Sequence, residues 1–274
     1  MPILLYFVLY MIYVVGSGGN GQTYFMQFLH DNGINTNILV DGRNNGGDNL
    51  KHLSNPKHLK PRMTKHDMYK GVKVEKCIFL YNHPYYSLLS HYRRKWAYAQ
   101  CCKLGNPKSL TRRIVNNFDN FKKLTLRANK DIYGFVFQFK NWIDETRKNN
   151  LDILFLDFND VLNERDRLNT FVGKELNYDS FTIKERSTSD TQHKKLYLIY
   201  DNLYNDMKRQ INIRRRREAL ALSDPTAYEK KINHLCVQKK LVAKKKNTNK
   251  KDAGAGPTCG IKKSSCSGSG CCSR

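Results

Sequence analysis

The chain has 274 residues, 40% of them hydrophobic, and carries 48 Lys and Arg residues against 24 Asp and Glu. This length and apolar content exclude a chain too short or too polar to form a core, and they allow one α/β domain of about 200 residues. From Lys208 onward, 18 basic residues stand against 4 acidic ones, which places 14 of the net +24 charges in a segment poor in apolar residues. We therefore predict a folded domain over residues 1–212 and a basic tail over 213–274 that is largely disordered after Gln238.

The first fifteen residues are almost wholly apolar, but a membrane-spanning helix needs about 20 such residues. No basic residue precedes this run, and it continues directly into a glycine-rich segment, unlike a cleaved signal peptide. We interpret residues 11–15 as a buried strand and assign no role to residues 3–9. A membrane anchor is the alternative for this segment.

The eight cysteines include no Cys-x-x-Cys pair of the kind that binds zinc. We therefore predict reduced thiols, a cytoplasmic location and no metal site. Cys271 and Cys272 follow a polybasic stretch close to the last residue, and this arrangement also resembles a lipidation signal. Membrane association through these cysteines is a second alternative.

Residues 10–32 combine an apolar strand, a glycine-rich turn and an amphipathic helix, which is the layout of a phosphate-binding loop. Glycines allow positive φ angles and bring backbone N–H groups close to an anion. A Walker A loop needs Gly-Lys followed by Ser or Thr, whereas here Gly21 is followed by Gln22 and Thr23. The pattern thus predicts an anion site without its own lysine, and a plain tight turn is the alternative. The glycines are Gly16, Gly18, Gly19 and Gly21.

Apolar runs typical of buried parallel strands alternate with helical periodicity along the rest of the domain. This alternation predicts a three-layer α/β fold with a central parallel sheet, whose ligands bind at the carboxyl ends of the strands. The polar segment 42–71 is too long for a plain connection and is predicted to face the substrate. The predicted strands are 11–15, 37–41, 76–81 and 151–158, and the predicted helices are one starting near residue 22, then 84–102, 135–148, 161–172 and 191–211.

Three segments resemble, in order, the sulfotransferases that use 3′-phosphoadenosine 5′-phosphosulfate. Residues 16–23 are similar to the family's 5′-phosphosulfate loop. Residues 78–92 are similar to its 3′-phosphate motif, a strand followed by Arg-x-Pro and a serine six residues after the proline. Residues 181–187 resemble more weakly the basic segment that closes on the nucleotide. The resemblance covers residues 11–207 and implies a P-loop NTPase-like fold, no metal, and sulfuryl transfer to a hydroxyl acceptor such as a carbohydrate.

The resemblance also implies which residues hold the donor. Loop N–H groups and the Thr23 hydroxyl would bind the 5′-phosphate, and Ser90 occupies the place of the serine that binds the 3′-phosphate. The implied donor-binding residues are Gly18, Gly19, Asn20, Gly21, Gln22, Thr23, Asn82, Ser90, Arg94 and Arg186.

Two positions depart from the family pattern. Gly19 falls where a lysine or arginine would neutralise the leaving group, and Asn82 replaces the arginine two residues before the proline. Because both changes remove positive charge, a catalytically impaired sulfotransferase-like protein that binds nucleotide is an alternative function. The basic residues that could substitute are Arg93, Arg94, Arg186 and those of segment 42–71.

His52, preceded by Lys51, is the predicted catalytic base. A neutral imidazole accepts protons near pH 7, and a Lys-His pair ahead of the second phosphate strand is similar to the family's placement. A solvated loop histidine is the alternative for His52. His83, next to Pro84, is predicted to cap the following helix instead.

Two further functions stay open. The basic tail, which includes residues 214–217, could bind polyanions such as RNA or DNA, or an anionic membrane surface. A nucleotide kinase would need a metal-binding carboxylate, for which Asp157 is the candidate, and a lysine that reaches the phosphates, which the loop lacks.

Overall fold

A parallel sheet lies at the centre of the first of two compact units, residues 1–212 and 213–274. Tyr81 and Asp157 are opposite each other at the ends of neighbouring strands, so these strands finish at one edge of the sheet. The prediction of an α/β fold with a parallel sheet is confirmed. The strands are β1 (Tyr10–Val15), β2 (Lys73–Tyr81) and β3 (Asp152–Asp157), in that order across the sheet.

These elements come from a computed structural model that describes part of the chain. Several predictions fall outside the described residues: the extension 3–9, the tail from residue 224 onward, and Arg186. Within that part, no helix is long and apolar enough to cross a membrane. The described residues are 10–38, 50–63, 65, 72–105, 110–149, 151–183 and 193–223.

Helices precede and follow the strands along the chain. The predicted strand 37–41 lies mostly outside the described residues, but Thr36 forms an isolated parallel bridge with Ile12. The helices are α1 (Gln22–Asp31), α2 (Leu59–Met63), α3 (Pro84–Arg93), α4 (Ala97–Lys103), α5 (Arg112–Asn116), α6 (Phe118–Ala128), α7 (Phe135–Asn149), α8 (Arg165–Val172) and α9 (Lys194–Ser223).

Helices cover both faces of the sheet, because neighbouring strand residues point to opposite faces. On one face Phe79 packs against Trp142 of α7. On the other face Ile78 belongs to the same buried cluster as Phe25 of α1. A third cluster joins α3, α4, α5 and α6. The strand and the helix that the glycine-rich segment connects, β1 and α1, are therefore both packed in the core.

The prediction of one helix over residues 84–102 is wrong, since the chain breaks between α3 and α4. Lys95 has a φ of 60°, its N–H donates to the Tyr92 carbonyl, and the Trp96 N–H donates to the His91 carbonyl. This pair of bonds around a left-handed residue is a Schellman motif, which ends a helix even where the apolar spacing continues. Helix periodicity alone does not reveal this stop.

Other boundaries shift in smaller ways. Helix α8 starts at Arg165 and not at residue 161, because residues 161–164 form a turn. Helix α9 runs twelve residues past the predicted end at 211. Helices α5 and α6 have no counterpart in the sequence prediction. His83 caps α3, as predicted, by accepting a hydrogen bond from the Tyr85 N–H.

We expect Gly16→Ala to lower the free energy of unfolding by about 2–3 kcal/mol, the cost of overpacking a buried site. A Cβ on Gly16 would lie 2.3 Å from the Leu80 carbonyl oxygen of the neighbouring strand. The control is Gly173→Ala, where φ is +75° but no described atom lies within 4 Å of the added Cβ, so only backbone strain of about 1–2 kcal/mol applies. Urea unfolding measures both, and a smaller loss at position 16 than at 173 would contradict the close strand contact.

Candidate functional site

The glycine loop, residues 16–21, connects β1 to α1 through three left-handed residues. Gly18, Gly19 and Gly21 have φ angles of 81°, 67° and 76°. L-residues with a Cβ rarely adopt this conformation, and here it recurs within four positions. The conformation of the loop therefore depends on its glycines.

The N-terminus of α1 opens directly from this loop. Gly21 is its N-cap, and within the described residues no side chain caps the helix and no acidic residue lies in its first turn. The first N–H groups of a helix lack intrahelical partners and carry the positive end of the helix dipole. Thr23 is exposed in this first turn. The geometry suits an anion next to residues 22–24.

A short segment, residues 50–54, is tied to the glycine loop through its backbone carbonyl groups. The Lys51 carbonyl accepts hydrogen bonds from the Gly16 N–H at 2.8 Å and from Gln22 Nε2 at 2.8 Å. The Leu53 carbonyl accepts from Trp142 Nε1 at 2.8 Å and from Gln138 Nε2 at 3.0 Å. Segment 50–54 is thus fixed to the loop, α1 and α7 at once.

This attachment places two side chains at the loop. Lys51 Nζ donates to Thr23 Oγ1 at 3.0 Å, so a lysine ammonium lies at the first turn of α1. The loop lacks a lysine of its own, and segment 50–54 supplies one. Lys51 and Thr23 are therefore two predicted site residues that the fold brings together from positions 28 residues apart.

His52 is 6% exposed and lies against the inner side of the loop. Its Nδ1 is 3.1 Å from the Gly16 carbonyl oxygen. Since a carbonyl can only accept, Nδ1 carries the proton in the neutral ring and the lone pair resides on Nε2. A neutral imidazole in this tautomer has the form that a general base requires.

A second histidine, His91 of α3, lies on the other side of Gly18. Tyr133 donates its hydroxyl proton to the Ala97 carbonyl at 2.8 Å, so its oxygen accepts from His91 Nδ1 at 2.9 Å. Burial, followed by the nearby His52 and, to a smaller extent, the charges of Arg94 and Lys103, lowers the pKa of His91 to about 3. His91 is consequently neutral near pH 7, with its Nε2 facing the Gly18 backbone.

Helix α3 packs so closely on the loop that it explains why residue 19 is a glycine. A Cβ at this position would lie 3.0 Å from the Ser87 carbonyl oxygen and 3.0 Å from Ser90 Cβ. A lysine or arginine would meet the helix backbone and would also have to adopt a φ of 67°. The same packing places Ser90 of α3 next to the loop.

Buried polar atoms without a partner of normal hydrogen-bond geometry concentrate around the loop. Within the described residues there are seven such atoms, and five belong to the loop or to side chains that touch it. Native interiors contain few, and ordered water or a bound ligand commonly satisfies them. Four of the five are acceptors, so they require donors such as hydroxyl groups or water. The five are Asn20 Oδ1, Gln22 Oε1, Ser87 Oγ, His91 Nε2 and Gln138 Oε1.

The remaining predicted residues lie further from this centre. Asn82 is buried at the end of β2, and its Oδ1 accepts from Asn159 Nδ2 at 3.0 Å, which joins the ends of two strands. Arg94 caps the end of α3, with its guanidinium 5.7 Å from the centre of the Trp96 ring. Arg186 is outside the described residues.

Asp157, the candidate metal ligand of a kinase, has partners from α9. Lys208 Nζ is 3.3 Å from its Oδ2 and 3.5 Å from Asp160 Oδ2, and the Tyr204 hydroxyl donates to Asp157. Burial raises the pKa of Asp157. A lysine ammonium thus occupies the position between the two carboxylates, and no group of three or more metal-ligating side chains is found in the described segments. This arrangement does not favour the kinase.

Sequence reasoning missed His91 and Gln138, which support the loop from α3 and α7. Both lie on helices with ordinary apolar spacing, and their pattern gives no sign of the contact. Comparison with protein-family models, with curated proteins and with solved structures finds no match for this chain. The residues and their geometry are therefore the basis for any functional conclusion.

The low pKa of His91 predicts a measurable loss of stability in acid. In the unfolded chain the imidazole protonates as the pH falls below about 6.5, whereas the folded protein resists protonation down to about pH 3. Between these two pH values the unfolded state binds one more proton than the folded state. The free energy of unfolding therefore decreases by about 1.4 kcal/mol for each unit by which the pH falls. His91→Asn keeps a hydrogen-bond donor for Tyr133 but has no titrating imidazole. Its stability should therefore lack this dependence on pH. Parallel stability curves for the two proteins between pH 6 and pH 4 would contradict a buried neutral His91.

Proposed function

We propose that this protein is a sulfotransferase with a P-loop NTPase-like fold that moves a sulfuryl group from 3′-phosphoadenosine 5′-phosphosulfate to a hydroxyl acceptor. The observation that carries the proposal is the placement of Lys51 and His52 at the glycine loop by the hydrogen bonds of segment 50–54. A glycine loop alone would support only an anion site. A lysine and a histidine beside it supply the two groups that sulfuryl transfer needs.

The positive groups of the site support the proposed donor binding. The uncapped N-terminus of α1 and the Lys51 ammonium both face the position next to Thr23. Charge-assisted hydrogen bonds to a phosphate are about twice as strong as neutral ones. The 5′-phosphate is assigned to this position, and Ser90 on the neighbouring helix is assigned to the 3′-phosphate. The unpartnered acceptors around the loop suit hydroxyl groups of the nucleotide or ordered water.

In the proposed reaction the acceptor oxygen forms a bond to sulfur while the bond from sulfur to the phosphate oxygen breaks. The acceptor proton moves to His52 Nε2. Adenosine 3′,5′-bisphosphate leaves, and Lys51 neutralises the charge that develops on its 5′-phosphate. In this scheme His52 acts on the attacking group and Lys51 acts on the leaving group, on opposite sides of the sulfur.

We expect adenosine 3′,5′-bisphosphate to raise the melting temperature, and Lys51→Gln to weaken its binding about tenfold, the loss of one charged hydrogen bond. Ser90→Ala should also weaken binding, since it removes the assigned partner of the 3′-phosphate. Lys57→Gln is the matched control, because Lys57 is an exposed lysine close by in the sequence. Calorimetry measures the three affinities. No binding by the unmodified protein at millimolar nucleotide would refute the proposed donor site.

His52→Asn should reduce sulfuryl transfer about 10²–10⁴-fold, the usual contribution of a general base, while bisphosphate affinity stays within twofold. Asparagine retains a donor for the Gly16 carbonyl but has no basic nitrogen. His58→Asn, at an exposed histidine of the same segment, is the control and should keep full activity. The assay follows ³⁵S from the labelled donor into a mixed panel of hydroxyl compounds. Equal activity of the His52→Asn variant would exclude His52 as the base.

A second candidate is a catalytically impaired protein on the same fold that binds nucleotide and uses its basic tail on polyanions. Two observations favour it: the closely packed Gly19 leaves no basic side chain on the loop, and Asn82 is occupied by Asn159. In the second unit, Arg216 and Arg217 are exposed on the end of α9. Bisphosphate binding without transfer to any acceptor in the panel would favour this function over the first.

A further inference from the structure

A small open cavity lies beside His52, on segment 50–54. Its volume of about 20 Å³ is room for a water molecule or a single charged group, but not for a whole sugar or nucleotide. Any larger ligand would therefore place one group inside and keep the rest of its body at the surface. The lining residues are Leu50, His52, Leu53, Ser54, Arg62 and Lys103.

Two of the described lining residues are basic. Arg62 comes from α2 and Lys103 from the last turn of α4, and no acidic residue is among the six. The charge of Lys103 also reaches the glycine loop, where it contributes to the low pKa of His91. Two cations beside one small cavity form a site for an anionic oxygen group.

The walls of the cavity are held in place by the core. Leu59 and Met63 of α2 are buried in the core cluster that also contains residues of β1 and α7, which anchors the α2 backbone that carries Arg62. The Leu53 carbonyl is bound by α7 through two hydrogen bonds, and the Ser54 carbonyl accepts from Asn141 Nδ2 at 3.1 Å. The site is thus built on rigid elements.

His52 belongs to both the cavity and the glycine loop. Its Cε1 would be 2.9 Å from a Cβ on Gly18, while the same side chain lines the cavity. A group bound between Arg62 and Lys103 is therefore next to the predicted base and close to the loop assigned to the donor.

We propose that this cavity binds an anionic group of the acceptor, so that the substrate is a hydroxyl compound carrying a carboxylate, sulfate or phosphate. This inference rests on the proposed sulfotransferase function. The anionic group enters between Arg62 and Lys103, and the reacting hydroxyl lies at His52. A neutral acceptor of the same shape would lack the charged anchor and bind more weakly.

The test uses a matched pair of small probes, methyl β-D-glucuronide and methyl β-D-glucoside, which differ in one carboxylate. Binding is followed through the imidazole NMR signal of His52, assigned with the His52→Asn variant, in 150 mM salt to screen the general positive charge. We expect the glucuronide to shift this signal in a saturable manner at millimolar concentration, and the glucoside to bind at least fivefold more weakly. Equal shifts from both probes would overturn the proposal.

Charge-matched variants locate the site. Arg62→Gln and Lys103→Gln should each weaken glucuronide binding at least fivefold, whereas Arg113→Gln, which removes the same charge from an exposed position on α5, should not. If Arg113→Gln weakens binding as much as Arg62→Gln, the effect is the overall charge of the protein and the proposal fails.

A separate titration with adenosine 3′,5′-bisphosphate distinguishes this proposal from the donor site. We expect the bisphosphate and the glucuronide to bind together, with Arg62→Gln leaving bisphosphate affinity unchanged. Displacement of the glucuronide by the bisphosphate, with weaker bisphosphate binding in Arg62→Gln, would assign the cavity to the donor and overturn the acceptor site. If the bisphosphate does not bind while the glucuronide does, the donor site fails and the anion cavity stands alone.

Discussion

The site depends on the backbone carbonyl groups of segment 50–54. This segment follows a part of the chain outside the described residues and belongs to no strand of the sheet, yet its Lys51 and Leu53 carbonyls each accept two hydrogen bonds from the loop and the surrounding helices. The Tyr13 hydroxyl binds the Leu50 carbonyl in the same way. Because backbone carbonyl groups accept these bonds, the position of segment 50–54 does not depend on the side chains of Lys51 and His52.

The loop carries features that cost stability. It holds His91 neutral by burial and is surrounded by polar atoms that have no partner of normal geometry. A turn that served only to connect β1 and α1 would have no need of them, since simpler connections are common. Unpartnered buried polar groups collect at functional sites, where a ligand or ordered water satisfies them.

The sequence was sufficient to predict the elements that short local patterns of residues specify. Strand β2 and helix α7 were predicted from apolar runs and helical spacing, and the cap by His83 from its place before Pro84. The break at Lys95 was not, because a Schellman motif depends on backbone conformation that apolar spacing does not encode. Resemblance to the family's placement led to the choice of His52 and Lys51 as site residues. Their contacts with Gly16 and Thr23 span 28 or more residues of sequence, and local patterns do not predict contacts of that kind. The supporting roles of His91 and Gln138 arise only from tertiary packing.

In the proposed function Lys51 supplies the positive charge that Gly19 does not, and one measurement tests this role most directly. A crystal structure with adenosine 3′,5′-bisphosphate should place the 5′-phosphate within hydrogen-bond distance of Lys51 Nζ and of the first N–H groups of α1, with Gly19 still packed on Ser87. A nucleotide bound elsewhere on the chain, or a 5′-phosphate held by another basic residue with Lys51 still directed at Thr23 alone, would contradict it.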